Sequence, residues 1–107
     1  MNISILGTGS VGRALAAGLS SAGHQVHMGT RDPDATLSRT DPDRFGNPPL
    51  SAWLTEYDGV RLVTFAEAAR AAEVVFNATS GDVSLQALQA AGPENLRGKV
   101  LVDVSNP

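Results

Sequence analysis

Apolar residues recur along the chain with two alternating periods, one typical of strands and one typical of helices. Short apolar or β-branched runs predict five strands, over residues 2–6, 25–29, 60–63, 74–77 and 100–104. Apolar positions three and four residues apart predict a helix over 10–22. Boundary signals predict three more: 51–57 between Pro49 and Gly59, 64–72 from a capping box at Thr64 and Glu67, and 83–91 before Gly92-Pro93. Residues 30–49 hold four of the six prolines without a sustained period, so we expect a long polar loop there.

Strands that alternate with helices favour an α/β fold, with a Rossmann-type, doubly wound parallel sheet. Right-handed crossovers then give five strands in the order 3-2-1-4-5, with the first two helices on one face and the next two on the other. The helix that would follow the fifth strand and cover strands four and five is absent from the sequence. We therefore expect an exposed apolar patch there, and hence a longer parent chain, a homodimer contact through the uncovered sheet face, or both.

Composition narrows the class of protein. The 107 residues suffice for one core without covalent staples, and the absence of cysteine excludes disulfide scaffolds and cysteine-based zinc sites. A net charge of −3 argues against a non-specific nucleic-acid binder. No apolar run is long enough to span a membrane, so we expect a cytoplasmic protein with no membrane partner. His24 and His27 are the only histidines and have no further ligand pattern around them, so no metal site is expected.

The turn after the first strand carries the pattern G-x-G-x-x-G, as Gly7-Thr8-Gly9-Ser10-Val11-Gly12. Gly7 permits the tight turn, Gly9 lets the backbone approach a pyrophosphate, and Gly12 allows close contact between helix and strand. The helix that follows presents free N–H groups and partial positive charge to a diphosphate. In this strand-turn-helix context the pattern predicts a dinucleotide-binding domain, with a purely structural glycine turn as the alternative.

The end of the second strand bears on which dinucleotide is bound. Arg31 can form a bidentate contact to a 2′-phosphate, and Thr30 can add a hydroxyl donor. Asp32 is the competing residue, because an acid near this position binds the ribose hydroxyls of NAD. Its other interpretation is a helix or turn cap beside Pro33. The sequence therefore favours NADP over NAD.

Four segments together resemble the NADPH-dependent deazaflavin-coenzyme reductase family, whose members move hydride between NADP and a hydroxy-deazaflavin. They are residues 7–15, 29–33, 77–81 and 103–107. The resemblance spans residues 1–107 but only the family's N-terminal NAD(P)-binding Rossmann domain. It implies that Thr8, Ser10 and Val11 line the pyrophosphate, that Thr30 and Arg31 hold the 2′-phosphate, and that Asn77, Ala78, Thr79 and Asn106 lie at the nicotinamide half. The family's C-terminal portion, which builds most of the second-substrate pocket and the dimer, is absent from the sequence.

The expected strand order leads to the same place, because ligands of open α/β sheets bind at the carboxyl ends of the strands. For Asn77 and Thr79 a capping or turn role is the alternative. Arg13 is interpreted as a solvated surface charge, and the aromatic side chains Phe45, Trp53 and Tyr57 as packing residues rather than a lid.

No catalytic residue can be assigned from the sequence, which agrees with hydride transfer, a reaction that depends on positioning more than on an acid or base. We expect an NADP-binding oxidoreductase domain that exchanges hydride with a deazaflavin or flavin-like cofactor. Two alternatives remain open. One is an NADP-dependent reductase of an imine or keto acid, and the other is a non-catalytic NADP-binding sensor.

Overall fold

The computed structural model describes residues 1–43 and 46–104, in which a five-stranded parallel sheet carries helices on both faces. The strands are β1 (Asn2–Leu6), β2 (Gln25–Thr30), β3 (Val60–Thr64), β4 (Val74–Asn77) and β5 (Val100–Asp103). The helices are α1 (Ser10–Ser21), α2 (Pro33–Ser38), α3 (Leu50–Leu54), α4 (Phe65–Ala71), α5 (Gly81–Ala91) and α6 (Pro93–Leu96). The strands lie in the order β3-β2-β1-β4-β5, so the predicted class and strand order are confirmed.

Alternation along the strands divides the core into two clusters, one on each face of the sheet. The first contains Ile5, Val26 and Met28 and packs against side chains of α1 and α3. The second contains Leu6 and Val75 and packs against α4, α5 and α6. The first two predicted helices therefore share one face and the next two share the other, as the crossover rule predicts.

The capping box is formed as predicted. Thr64 Oγ1 accepts a hydrogen bond from the Glu67 backbone N–H at 3.1 Å, and Glu67 Oε1 accepts one from the Thr64 N–H at 3.1 Å. The Thr64 N–H and the Thr64 hydroxyl, whose Oγ1 lies 2.9 Å from Glu67 Oε1, both donate to the charged carboxylate, so they hold the pKa of Glu67 below its ordinary value. Because Thr64 is also the last residue of β3, the chain turns into α4 without an intervening loop.

The polar segment 30–49 is not the uniform loop that its composition predicts. It contains α2, whose first residue is Pro33 and whose N-cap is Asp32. Six residues are too few to show a helical period, so only the cap and the proline signal this helix. The four-residue α6 was also missed, and α5 begins at Gly81, two residues before the predicted start.

Among the elements of residues 1–43 and 46–104, none covers the α1 side of the sheet over β4 and β5. The register pairs Val74 with Val100 and Phe76 with Val102, so these four side chains share one face. Phe76 also packs against the cluster on the α1 side, which identifies that face. Val100 is 59% exposed. The predicted apolar patch is therefore present, whereas the homodimer inferred from it stays a prediction.

The aromatic side chains of the α3 region pack inward. The rings of Trp53 and Tyr57 stack with centroids 4.5 Å apart, and both residues pack against the core cluster beneath α1. This agrees with a packing role, and Phe45 lies outside the described residues. Within residues 1–43 and 46–104, no helix combines the length and apolar character needed to cross a bilayer.

Candidate functional site

A cleft of about 890 Å³ opens at the carboxyl ends of β1, β2 and β4. This volume is within the range of small-molecule sites. Its walls are the turn after β1, the end of β2, the segment after β4, and parts of α2 and α5. Most of the residues that the sequence predicted to bind a dinucleotide line it: Gly7, Thr8, Gly9, Ser10, Val11, Thr30, Arg31, Ala78 and Thr79.

Three of the predicted site residues are not among those that line the cleft. Gly12 is buried behind the turn, where a Cβ atom would lie 2.7 Å from the backbone oxygen of Gly7. Asn77 is fully buried and bonds to neighbouring side chains. Asn106 lies outside the described residues.

Asn77 shapes the wall of the cleft from behind. Its Oδ1 accepts a hydrogen bond from Thr79 Oγ1 at 2.7 Å, and its Nδ2 donates to Ser84 Oγ at 2.6 Å. The first bond fixes the segment after β4, and the second ties that segment to α5. The turn role considered as the alternative for Asn77 and Thr79 is therefore present, while Thr79 still faces the cleft.

The start of the glycine turn is held by backbone hydrogen bonds to the end of β2 and to the segment after β4. The Gly7 N–H donates to the Gly29 oxygen at 2.9 Å, and the Ala78 N–H donates to the Leu6 oxygen at 2.9 Å. Gly7 has φ of +112°, and a Cβ atom there would lie 2.9 Å from the Ala78 oxygen. Both the backbone angle and the close contact require glycine at this position.

Gly9, by contrast, faces open space. No heavy atom lies within 4 Å of a Cβ atom built on it, and its φ of −81° suits any residue. Gly9 is the N-cap of α1, no side chain caps this helix end, and its first turn carries no acid. The helix can thus offer backbone N–H groups and partial positive charge to an anion seated over Gly9. These features fit the diphosphate of a dinucleotide.

At the other end of the cleft, cationic and hydroxyl side chains gather around β2 and α2. Arg31 and Arg39 are exposed side chains that line this end. Thr30 Oγ1 lies 3.0 Å from Thr36 Oγ1, so the two hydroxyls share a hydrogen bond. Thr36 and Arg39 were missed from the sequence because α2 was not predicted.

Asp32, at this end of the cleft, caps α2 with its side chain. Its Oδ1 accepts a hydrogen bond from the Ala35 N–H at 3.2 Å, which caps α2. The capping interpretation of Asp32 therefore agrees with the structure. An aspartate beside a proline at the start of a short helix is the signal in the sequence that locates α2.

Arg13 is not the solvated charge that its position predicted. It is only 9% exposed; its Nε donates to the Thr8 oxygen at 2.8 Å and its Nη1 donates to the Pro48 oxygen. The prediction was wrong because the segment before α3 folds back over the start of α1. Burial lowers the pKa of Arg13, and the carboxylate of Asp43 opposes that shift. An arginine so placed remains a cation at neutral pH.

The same returning segment contacts the glycine turn through Asn47. Its Nδ2 donates to Ser10 Oγ at 2.7 Å and to Asp43 Oδ2 at 2.9 Å. Nothing in the sequence pattern predicted this contact, since Asn47 and Ser10 are separated by 37 positions. Among the described residues, no group of three or more histidines or acids is placed to hold a metal ion.

A parallel sheet in this order, with a glycine turn at the helix N-terminus and a cleft at the strand ends, defines a dinucleotide-binding domain of the Rossmann type. The model of the family described as NADP oxidoreductase, coenzyme F420-dependent, matches residues 2–107. The chain belongs to this family, which confirms the resemblance noted in its motifs.

Individual relatives agree with this assignment. The structure of a candidate F420-dependent NADP reductase from Arthrobacter sp. FB24 is 54% identical and superposes with a TM-score of 0.92, covering 98% of this chain and 45% of that one. An imine reductase from Streptomyces aurantiacus is 25% identical, with a TM-score of 0.68, over 98% of this chain and 32% of its own. A glycerol-3-phosphate dehydrogenase (NAD(P)+) of Pseudomonas fluorescens is 36% identical over 96% of this chain and 28% of its own length. The chain thus spans less than half of each of these relatives.

The contrast between Gly9 and Gly12 yields a test of the site. We expect Gly9→Ala to change the free energy of unfolding by no more than about 1 kcal/mol, because the added methyl group meets no protein atom. It should nevertheless weaken dinucleotide binding at least about tenfold, because the methyl group occupies the space of the diphosphate.

Gly12→Ala is the matched control, since it places the same methyl group against the Gly7 oxygen. We expect it to destabilise the fold by about 1–3 kcal/mol. Urea unfolding and titration with NADPH measure both quantities. Unchanged affinity in a folded Gly9→Ala variant would contradict the placement of the diphosphate.

Proposed function

We propose that the cleft binds NADP(H), with the diphosphate over Gly9 at the start of α1. Gly9 leaves room for the diphosphate, and the uncapped helix end supplies donors and has no acid in its first turn. Ser10 adds a hydroxyl group at the same point, and this hydroxyl already accepts a hydrogen bond from Asn47. The observation that carries the proposal is the open space at Gly9 in a turn that is otherwise tightly packed.

The proposed choice of NADP over NAD depends on charge at the end of β2. Arg31 and Arg39 place two guanidinium groups on this wall, and a guanidinium suits bidentate recognition of phosphate. Asp32, the residue that would favour NAD, is engaged in capping α2. An acid at this position binds the ribose hydroxyls in an NAD site, so the proposed preference for NADP depends on the two arginines.

The finer proposal concerns the reaction of the whole protein. We propose that the nicotinamide lies against Ala78, Thr79 and Val104 and exchanges hydride with a deazaflavin coenzyme. Bound NADPH supplies the hydride from its nicotinamide ring. The family description and the name of the Arthrobacter relative support the deazaflavin. The chain's own residues orient the ring, because Asn77 fixes the Thr79 hydroxyl at 2.7 Å on the inner wall.

Arg31→Ala tests the choice of cofactor. We expect the affinity for NADPH to fall about 10- to 100-fold, since hydrogen bonds to charged groups contribute about 1.5–3 kcal/mol. The affinity for NADH should change less than about twofold, because NADH has no 2′-phosphate. Arg70→Ala, at an exposed arginine in the last turn of α4, is the matched control and should alter neither affinity. Equal losses for both cofactors in Arg31→Ala would contradict the assignment.

The hydride acceptor is tested by supplying NADPH to the product of the intact gene together with a deazaflavin, a flavin or a cyclic imine. We expect NADPH oxidation to be matched by bleaching of the deazaflavin absorbance, with little oxidation in the presence of the other two. Oxidation with the imine alone would favour an imine reductase, the activity named for the Streptomyces aurantiacus relative. Tight NADPH binding without turnover of any acceptor would favour a non-catalytic sensor.

A further inference from the structure

Next to the glycine turn lies a second, smaller cavity of about 290 Å³. Thr8, Thr36, Arg39 and Asp43 line both this cavity and the dinucleotide cleft, whereas Arg13 lines only the smaller one. Arg13 therefore lies outside the cleft but beside its lining residue Thr8.

Arg13 bonds to the backbone of the turn rather than to a side chain. Its Nε donates to the Thr8 oxygen at 2.8 Å, and its Nη1 donates to the Pro48 oxygen. One buried guanidinium thus joins the turn to the segment that precedes α3. Because the guanidinium is planar and rigid, it holds the two carbonyl groups at a fixed separation.

The bond to Thr8 determines where the next N–H group points. The peptide between Thr8 and Gly9 is trans, so the Thr8 oxygen and the Gly9 N–H point in opposite directions. Because its oxygen is bonded to Arg13, this peptide directs the Gly9 N–H away from Arg13, and Gly9 itself lines the cleft. A peptide flip would reverse this arrangement and present a carbonyl oxygen to a phosphate.

We propose that Arg13 is a positioning residue for the cofactor diphosphate: by holding the Thr8 carbonyl, it presets the Gly9 N–H toward the cleft. The inference rests on the proposed dinucleotide function of the cleft. The positive charge of Arg13 also favours binding of the diphosphate, because in the proposed complex only one peptide separates the two groups. Both effects act at the diphosphate, which NADPH and NADH share, so Arg13 serves both cofactors.

The test compares Arg13→Met with wild type in the 107-residue chain. Methionine keeps an unbranched apolar stem but removes the donors and the charge. We expect the affinities for NADPH and NADH to fall by the same factor, about tenfold or more. Arg31→Ala serves as the contrast, since its loss is expected for NADPH alone. Leu19→Ala, a core substitution in the same helix, controls for lost stability and should leave both affinities unchanged at a temperature where the variant is folded.

A ligand-free readout separates failure of this inference from failure of the proposed function. Backbone ¹⁵N relaxation should show greater mobility at Gly9 and Ser10 in Arg13→Met and not in Leu19→Ala. Unchanged mobility together with unchanged affinities in folded Arg13→Met would overturn the proposal, as would a loss confined to NADPH. If the wild-type chain binds neither cofactor, the proposed function fails while the relaxation result still decides the role of Arg13.

If Arg13→Met does not fold, Arg13→Lys provides the same test. Lysine keeps the charge, but its single ammonium group lacks the planar fork that reaches two carbonyls. We expect an equal, smaller loss for both cofactors and an intermediate rise in mobility at Gly9. Wild-type affinity and wild-type mobility in Arg13→Lys would show that the paired hydrogen bonds do not position the turn.

Discussion

The close approach of α1 to the end of β1 is the constraint on which the rest of the site depends. Gly12 brings the helix so near to Gly7 that a single methyl group would lie 2.7 Å from its oxygen. Gly7 in turn approaches the Ala78 backbone nearly as closely, with a Cβ position 2.9 Å from its oxygen. The helix end, the end of β1 and the segment after β4 are therefore fixed relative to one another, and the cleft between them has a defined shape.

Side-chain hydrogen bonds surround this rigid centre, and they differ in how far apart in the sequence their partners lie. The hydrogen bond between Asn77 and Thr79 joins residues two positions apart in the sequence, and the bond by which Asp32 caps α2 joins residues three positions apart. Arg13 and Asn47 act over 35 and 37 positions, and they bind the turn to the segment before α3. The hydrogen bonds between residues close in sequence shape the two ends of the cleft, whereas those between distant residues set the conformation of the glycine turn at its middle.

This difference in reach explains what could be predicted from the sequence. The strand order, the capping box at Thr64 and the glycine turn all depend on periodicity or on residues a few positions apart, and their patterns were sufficient. The short α2 was missed because six residues show no helical period. Thr36 and Arg39 were missed as site residues for the same reason. The burial of Arg13 could not be predicted, because it depends on where a proline-rich segment returns in space. Composition identified that segment as irregular but carried no information on its path.

The central claim is that a dinucleotide lies across the carboxyl ends of the strands with its diphosphate at the start of α1. Titration of the ¹⁵N-labelled chain with NADPH, followed by amide chemical shifts, tests it most directly. The largest shifts should occur at Gly9, Ser10 and Val11, with a second group at Thr30 and Arg31. Shifts concentrated on the open sheet face at Phe76 and Val100, with the glycine turn unchanged, would contradict the claim.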